Sequence, residues 1–489
     1  MSTLDPVQLA ALKFAEGKPG VGWFLEQGLG KSLTALAEFD GLVKRNESDR
    51  MIIICPNTFK QGWRDEIIKH GFDFDVHVFR ASKRPDASEF CSRSHFDVHE
   101  RFHPPVMIVN YEAVRLKTVL SGLIKWARRG KTYLVIDESI QIKGNKSAQT
   151  KAMHQLAAWS PYTNEPMHVR AVRILTGRPQ TQGPQDLWGQ LRAIGGFRDK
   201  NYYAFRGSFC VMGGWMNKEV VRAKNPELLA TQIAPIVFQA KKKDWLPALP
   251  TKRMTIRDYE MSGEQKRQYT SMEEEFLLEI ESGTVTVDVA IAKYAKLAQI
   301  QTGFIYDEAG VARELVDPSE NPRLNLLLNI LEDEVQGKTV VVYRHRAILP
   351  VLIETLKNYN PAWIKGGMKP DEVEEQKRIF NDNPDCRIIL AQCDAARYGH
   401  TLLAGPAEED RCRTMIFFEN SYSADTRDQI EDRIHRRGQT GEYVLYVDLS
   451  GSDLDRRIVK ALQRKDSLYR SVFKHLKEAA PALIVTEVG

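Results

Sequence analysis

Glu26-Gln27-Gly28-Leu29-Gly30-Lys31-Ser32 stands between two stretches of different periodicity. Before it, Val21-Gly22-Trp23-Phe24-Leu25 is an apolar run of strand length. After it, Leu33, Leu36, Ala37 and Phe39 recur at helical spacing. A strand, a glycine loop and a helix in that order leave backbone N–H groups and a helix N-terminus around an anion. Lys31 adds a point charge, and Ser32 adds a hydroxyl suited to Mg²⁺. Leu25 occupies the place of the first glycine in the full G-x-x-x-x-G-K-[ST] pattern, so the short form competes with a chance glycine-rich helix start.

The same alternation continues outward. Leu4-Asp5-Pro6-Val7-Gln8 opens a helix upstream. Downstream, 51–55, 106–112, 133–136 and 172–175 are apolar runs ending in polar residues, with helical stretches between them. Continuous apolar strands separated by helices predict an α/β fold with a mostly parallel sheet covered on both faces. Ligands of such sheets sit beyond the strand C-termini, where these polar tips converge. Between about 200 and 320 the alternation breaks down. Lys241-Lys242-Lys243 and Pro247-Ala248-Leu249-Pro250 read as a basic connector, and Gln265 to Ser282 as a charged amphipathic helix. Strand candidates resume at 340–343, 362–364, 387–390, 415–418 and 444–447. The expected organisation is a first α/β lobe over 1–200, a helical protrusion or linker over 201–320 and a second lobe over 321–489.

At 489 residues the chain exceeds one core. A net charge of +5 permits a nucleic-acid partner without requiring one. No run approaches the roughly 20 apolar residues of a membrane span, and the N-terminus lacks a signal-peptide pattern. Cysteines 55, 91, 210, 386, 393 and 412 are scattered without a Cys-x-x-Cys pair. They read as reduced, packing thiols, and a cytoplasmic protein without a membrane partner is expected.

Asp137-Glu138 lies at a strand end about a hundred residues after Lys31. There Asp137 can hold Mg²⁺ through water, and Glu138 can orient and polarise an attacking water. In the second lobe, Arg433 and Arg436 fall one helical turn apart in a cation-dense stretch. Two guanidinium groups there suit the role of arginine fingers on a γ-phosphate, against the bland alternative of a solvated basic helix. Cys91, His95, His99 and His103 are spaced by four and suit Zn²⁺, but Pro104 and Pro105 follow directly and weaken that pattern. Tyr202, Tyr203, Trp215 and Trp245 suit base stacking, although such residues more often fill cores.

Four motifs in order resemble those of Swi/Snf-type ATPases of helicase superfamily two: Gly28-Leu29-Gly30-Lys31-Ser32, Asp137-Glu138 through Ile142-Lys143, Leu175-Thr176-Gly177 with Pro179, and Gln429 through Gln439. The resemblance covers nearly the whole chain and implies two RecA-like lobes with helical insertions between them. It implies ATP and Mg²⁺ as cofactors and a site completed between the lobes. Catalysis would then fall to Lys31, Glu138, Arg433 and Arg436. Gln8, Gly28, Gly30, Lys31, Ser32, Asp137, Gly399 and Gln429 would bind the nucleotide, with Ser32 and Asp137 on the metal. Trp63, Asn110, Tyr111, Lys143, Gly366 and Thr401 would face DNA. Within the family, the stretch 395–401, Glu419 and the region 209–250 resemble the branch of annealing helicases that remodel forks. The length resembles a bare motor, as in some phages and mobile elements, so a monomer in a bacterial or phage-infected cell is expected, with a protein partner left open.

The implied activity is ATP-dependent translocation on double-stranded or forked DNA, with a strand-separating or annealing helicase as the alternative. The chain departs from the family pattern at Ser139-Ile140, where Ala-His is usual, and at Arg178, where Thr is usual. It departs again at Lys365, where Asp is common before Gly366, and in a short insertion over 405–413. The first two departures keep a nucleotide-gated DNA-binding protein with little turnover as a second alternative.

Overall fold

The computed structural model describes residues 3–79 and 103–453, apart from 161, 164, 182, 214–218, 282–286, 308, 397–400, 406–409 and 422–423, together with 456 and 459. The described chain divides into two compact units, one running through Pro247 and the other beginning at Ala248.

The first unit is built on seven strands: β1 (Gly20–Leu25), β2 (Arg50–Cys55), β3 (Asp75–Val78), β4 (Pro105–Asn110), β5 (Thr132–Asp137), β6 (Ala171–Leu175) and, after the hairpin β7 (Cys210–Gly213) and β8 (Glu219–Ala223), β9 (Val237–Ala240). Their order is β3-β4-β2-β5-β6-β1-β9, and every pairing is parallel. Every residue of β1, β2, β5 and β6 is buried, which is why these strands read as unbroken apolar runs. Helix α1 (Pro6–Ala15), α2 (Lys31–Lys44) and α3 (Lys60–Lys69) belong to one covering layer, with Ala11, Phe39, Trp63 and Ile67 in the core on that face. The other face packs Leu123, Trp126, Met153, Leu187, Phe205 and Ile233 from further helices.

Among the described residues, the main sheet of the second unit has six strands: β10 (Thr251–Asp258) and, after the separate hairpin β11 (Phe304–Tyr306) and β12 (Ala312–Glu314), β13 (Thr339–Tyr343), β14 (Ala362–Ile364), β15 (Ile388–Gln392), β16 (Thr414–Phe417) and β17 (Tyr443–Ser450). The order is β10-β17-β16-β13-β15-β14, again all parallel. Both units are therefore parallel α/β lobes, as the strand pattern predicts.

The two compact units change over at 247/248, inside the stretch 201–320 expected as a helical protrusion or linker. Within that stretch, β9 completes the first sheet and β10 forms the edge of the second. Helices Gly263–Glu281 and Val287–Thr302 follow β10. The stretch 251–258 escapes sequence reading because its residues are mostly exposed, so no apolar run marks it.

Candidate nucleotide site and the family it defines

The phosphate loop is the turn between β1 and α2. Gly28 and Gly30 adopt φ of 86° and 76°, a left-handed backbone that glycine enters without a Cβ penalty. A Cβ on Gly30 would also meet the Gln8 amide nitrogen at 2.1 Å and displace that side chain from the loop. Lys31 begins the 14-residue helix α2 and is buried, its ammonium donating to the Leu25 carbonyl at 3.0 Å. Ser32 follows in the first helical turn. A cation, a hydroxyl and the free N–H groups of a helix N-terminus fit a magnesium-bound nucleotide phosphate. Gln8 lies against this loop. Its amide donates to the Gly30 carbonyl at 3.2 Å, and its oxygen accepts from the Asp5 N–H at 2.8 Å, which caps α1.

Strand β5 delivers Asp137 and Glu138, both buried, to its C-terminal end. Four donors hold this corner. The Trp63 indole N–H reaches Asp137 Oδ2 at 2.9 Å, and the Glu138 N–H reaches Asp137 Oδ1 at 2.9 Å. The Tyr111 hydroxyl donates to the Asp137 carbonyl at 2.6 Å, and the Gln27 amide to Glu138 Oε1 at 3.1 Å. Burial pushes the Asp137 carboxyl above its ordinary range, against the Trp63 hydrogen bond, the Lys31 charge and the Glu138 N–H, which favour the anion. Glu138 itself has φ 48° and ψ 53°, a left-handed conformation that costs a non-glycine residue about 1 kcal/mol or more. Gln27 ties the second carboxylate to the phosphate loop, a role no spacing in the sequence announces.

Of the residues expected to face DNA, Trp63, Asn110 and Tyr111 are 3%, 8% and 2% exposed. A buried indole N–H or phenol needs a partner, and the buried Asp137 corner provides one for Trp63 and Tyr111. The Asn110 amide turns to Glu112 Oε2 at 2.6 Å. Lys143 is half-buried and donates to Thr181 Oγ1 at 2.7 Å.

In the second unit, the helix Ala424–Glu431 stops before the arginines, and 432–438 is a run of turns. Arg433 and Arg436 therefore do not share a helical face, contrary to their spacing. Arg433 folds back, its Nε donating to the Gln429 carbonyl at 2.7 Å, while Arg436 is half-exposed. Gln429 is itself 8% exposed. Beneath the turn, Arg427 bonds Glu431 at 2.7 Å, Asn420 at 2.5 Å and both Asp448 oxygens at 2.6 and 3.1 Å, over the Phe417 ring. Lys252 reaches the other Glu431 oxygen at 2.8 Å. Burial opposes ionisation of Glu431, but Lys252 and Arg427 outweigh it and hold its pKa down to about 2. Glu419 joins the ends of β13 and β16. It accepts from the backbone of Arg344 and His345 at 2.7 and 2.9 Å and meets His345 Nδ1 at 2.6 Å. His345 and these amides likewise overcome burial and bring Glu419 to about 2.

Gly366 donates its N–H to Gln392 Oε1 at 2.7 Å, and a Cβ there would meet Arg346 at 2.8 Å. The Thr401 carbonyl accepts from Asn381 at 3.4 Å. Gly399 lies outside the described residues, as do Cys91, His95, His99 and Trp215. The fourth member of the spaced-by-four set, His103, pairs with Asp73 at 2.8 Å. Tyr202 packs edge-on against Trp188 at 5.7 Å, and Tyr203 is 56% exposed. The five described cysteines are buried, and burial raises their thiols, Cys210 to about 11 and Cys412 to about 12. They are packing residues. Among the described residues, no helix is long and apolar enough to cross a membrane.

A phosphate loop and a strand-end carboxylate pair on one parallel sheet, with a second parallel lobe in the same chain, define a two-lobe nucleotide-binding class. The particular family follows from the sequence: the SNF2-related domain matches residues 23–302, and the helicase conserved C-terminal domain matches 322–438. The chain belongs to the SNF2 family and carries its two RecA-like lobes. It is 24% identical to the uncharacterized ATP-dependent helicase MG018 of Mycoplasma genitalium, over 91% of this chain and 39% of that protein. It is also 24% identical to the SWI/SNF-related matrix-associated actin-dependent regulator of chromatin subfamily A-like protein 1 homolog of Caenorhabditis elegans, over 85% of this chain and 54% of the relative. The Sulfolobus solfataricus SWI2/SNF2 ATPase core in complex with dsDNA aligns over 100% of this chain and 95% of its own, at 19% identity and a TM-score of 0.41. The chain spans 39% and 36% of the length of the first two curated relatives it matches.

Proposed function

We propose that this chain is an ATP hydrolase that uses the energy to translocate along double-stranded DNA. The observation that carries the reading is the Asp137–Glu138 corner, two buried carboxylates set against the phosphate loop by Gln27 and by the field of Lys31. In this reading Gly28, Gly30 and Lys31 cradle the β- and γ-phosphates. Ser32 and Asp137 would hold Mg²⁺, whose charge offsets that developing on the phosphate oxygens. Glu138, fixed by Gln27, orients the attacking water and takes its proton. The names of the relatives, ATP-dependent helicase and chromatin-remodelling subunit, support ATP-driven work on nucleic acid. Arg433 and Arg436 remain the proposed fingers, and Trp63, Asn110, Tyr111, Lys143, Gly366 and Thr401 the proposed DNA-facing set.

The test is steady-state ATPase without nucleic acid and with single strands, blunt duplex, forked DNA and RNA. Stimulation by blunt duplex, lost when Arg436 is changed to Ala, is the expected result. Stimulation confined to forks would favour the annealing-helicase alternative. ATP binding without stimulated turnover on any substrate would leave the gated-binding reading, with Ser139-Ile140 and Arg178 as its basis.

A further inference from the structure

Residue 139 is serine where the family pattern has alanine, and the structure shows where its hydroxyl goes. Ser139 is fully buried, and its Oγ donates to Gln190 Oε1 at 2.8 Å. Gln190 is also fully buried. Its amide donates to the Pro179 carbonyl at 2.7 Å and to the Asp186 carbonyl at 2.8 Å. Both amide hydrogens and the oxygen are thus committed, which fixes the side chain's orientation. Asp186 Oδ2 accepts from the Thr181 N–H at 2.7 Å and its hydroxyl at 3.0 Å, and the same hydroxyl accepts from Lys143. The turn Ser139–Ile142 closes the circuit from Lys143 back to Ser139. That turn also sits directly on the helix Leu187–Ala193, where a Cβ on Gly189 would overlap the Ile142 carbonyl at 2.0 Å.

We infer that this ring of hydrogen bonds is a coupling device, with Ser139 and Gln190 as positioning residues for the adjacent Glu138 and Lys143 as its outer terminal. Lys143 is the half-exposed member whose ammonium can exchange Thr181 for a phosphate oxygen of a polyanion. Withdrawing it frees Thr181, and the change passes through Asp186 and Gln190 to Ser139, next to a Glu138 backbone held in the left-handed region. The inference rests on the proposed reading of Glu138 and of a DNA partner. The ring itself, with Ser139 and Gln190 fully buried and Asp186 3% exposed, is present in this chain whatever its partner.

The experiment measures ATPase with and without blunt duplex DNA for the full chain, Ser139→Ala, Gln190→Leu and the double variant. The expected result is a fall of about tenfold or more in duplex-stimulated kcat with KM for ATP little changed, since displacing a catalytic group by a fraction of an ångström costs on that order. The double variant is expected to match the singles, because the two residues act as one unit. If Gln190→Leu fails to fold, Ser139→Ala removes one oxygen only, and the double variant replaces the pair with apolar groups. Wild-type stimulation in any folded variant would overturn the coupling. A wild-type enzyme indifferent to duplex would break the functional reading instead. The intrinsic kcat of the same variants would then decide the ring: a fall with KM held would keep its positioning role, and unchanged values would overturn it.

Discussion

The two lobes bury carboxylates in opposite ways. In the first, Asp137 and Glu138 are held by neutral donors, namely an indole, an amide side chain and a backbone N–H, and burial raises Asp137 above its ordinary range. In the second, Glu419 and Glu431 are matched by His345, Lys252 and Arg427, which hold both near a pKa of 2. With neutral donors and the more distant field of Lys31, Asp137 stays above its ordinary range, whereas the partners of Glu419 and Glu431 bring both down. The first arrangement suits chemistry, and the second suits holding a turn in place.

The sharpest way to break this contrast is Glu138→Gln. The amide keeps the shape and can still meet Gln27, but it cannot accept a proton. Turnover is expected to fall by about 10³-fold, the range of general-base contributions. ATP binding, followed with a fluorescent nucleotide, is expected to persist. Equal turnover in both proteins would remove Glu138 from the mechanism. In the second lobe the counterpart is Arg427→Met, which takes the guanidinium from Asp448 and leaves Glu431 with Lys252. Removing one partner of a buried ion network costs about 3–5 kcal/mol, so loss of folded second lobe in denaturant titration is expected. A variant of wild-type stability would show that the network is better hydrated than its geometry implies.

A smaller effect sharpens the first lobe. Trp63→Phe keeps the ring in the core and deletes the N–H bond to Asp137. That bond favours the ionised carboxylate, so its loss raises the Asp137 pKa further. The acid limb of the kcat profile is expected to move to higher pH, with about tenfold loss on that limb, the scale of one hydrogen bond to a charged group. An unmoved limb would place Asp137 outside the rate-determining ionisations.

How much of this was legible follows the range of the interactions. The buried strands were legible because both faces are covered, which writes an unbroken apolar run into 51–55 or 340–343. The phosphate loop and Asp137-Glu138 were legible because loop, helix start and strand end are local. Trp63 was legible as a motif member but its bond to Asp137 was not, because that partner lies 74 residues away and only the fold joins them. Gln27, 111 residues from Glu138, and Gln190, 51 from Ser139, carry no local signal for the same reason. The helix expected under Arg433 and Arg436 failed for a tertiary cause. Glu431 and His435 are claimed by Lys252 and by the Pro250 carbonyl, groups near β10, and the chain turns to meet them.

The last prediction measures what the cationic matching is worth. Glu431 has a folded pKa of about 2 against an ordinary value of 4.5, so the folded protein binds its proton less readily than the unfolded chain. Its contribution to stability is therefore present above pH 4.5 and is lost as pH falls from there toward 2. Glu419, shifted the same way, adds a second loss in the same window. Each group makes stability fall by at most about 1.4 kcal/mol per pH unit. Glu431→Gln is expected to be less stable at neutral pH and to show a shallower decline between pH 4.5 and 3 in urea titrations. An unchanged slope would mean that Lys252 and Arg427 hold Glu431 no more tightly when folded than solvent does when unfolded, and the contrast between the lobes would fail at its second half.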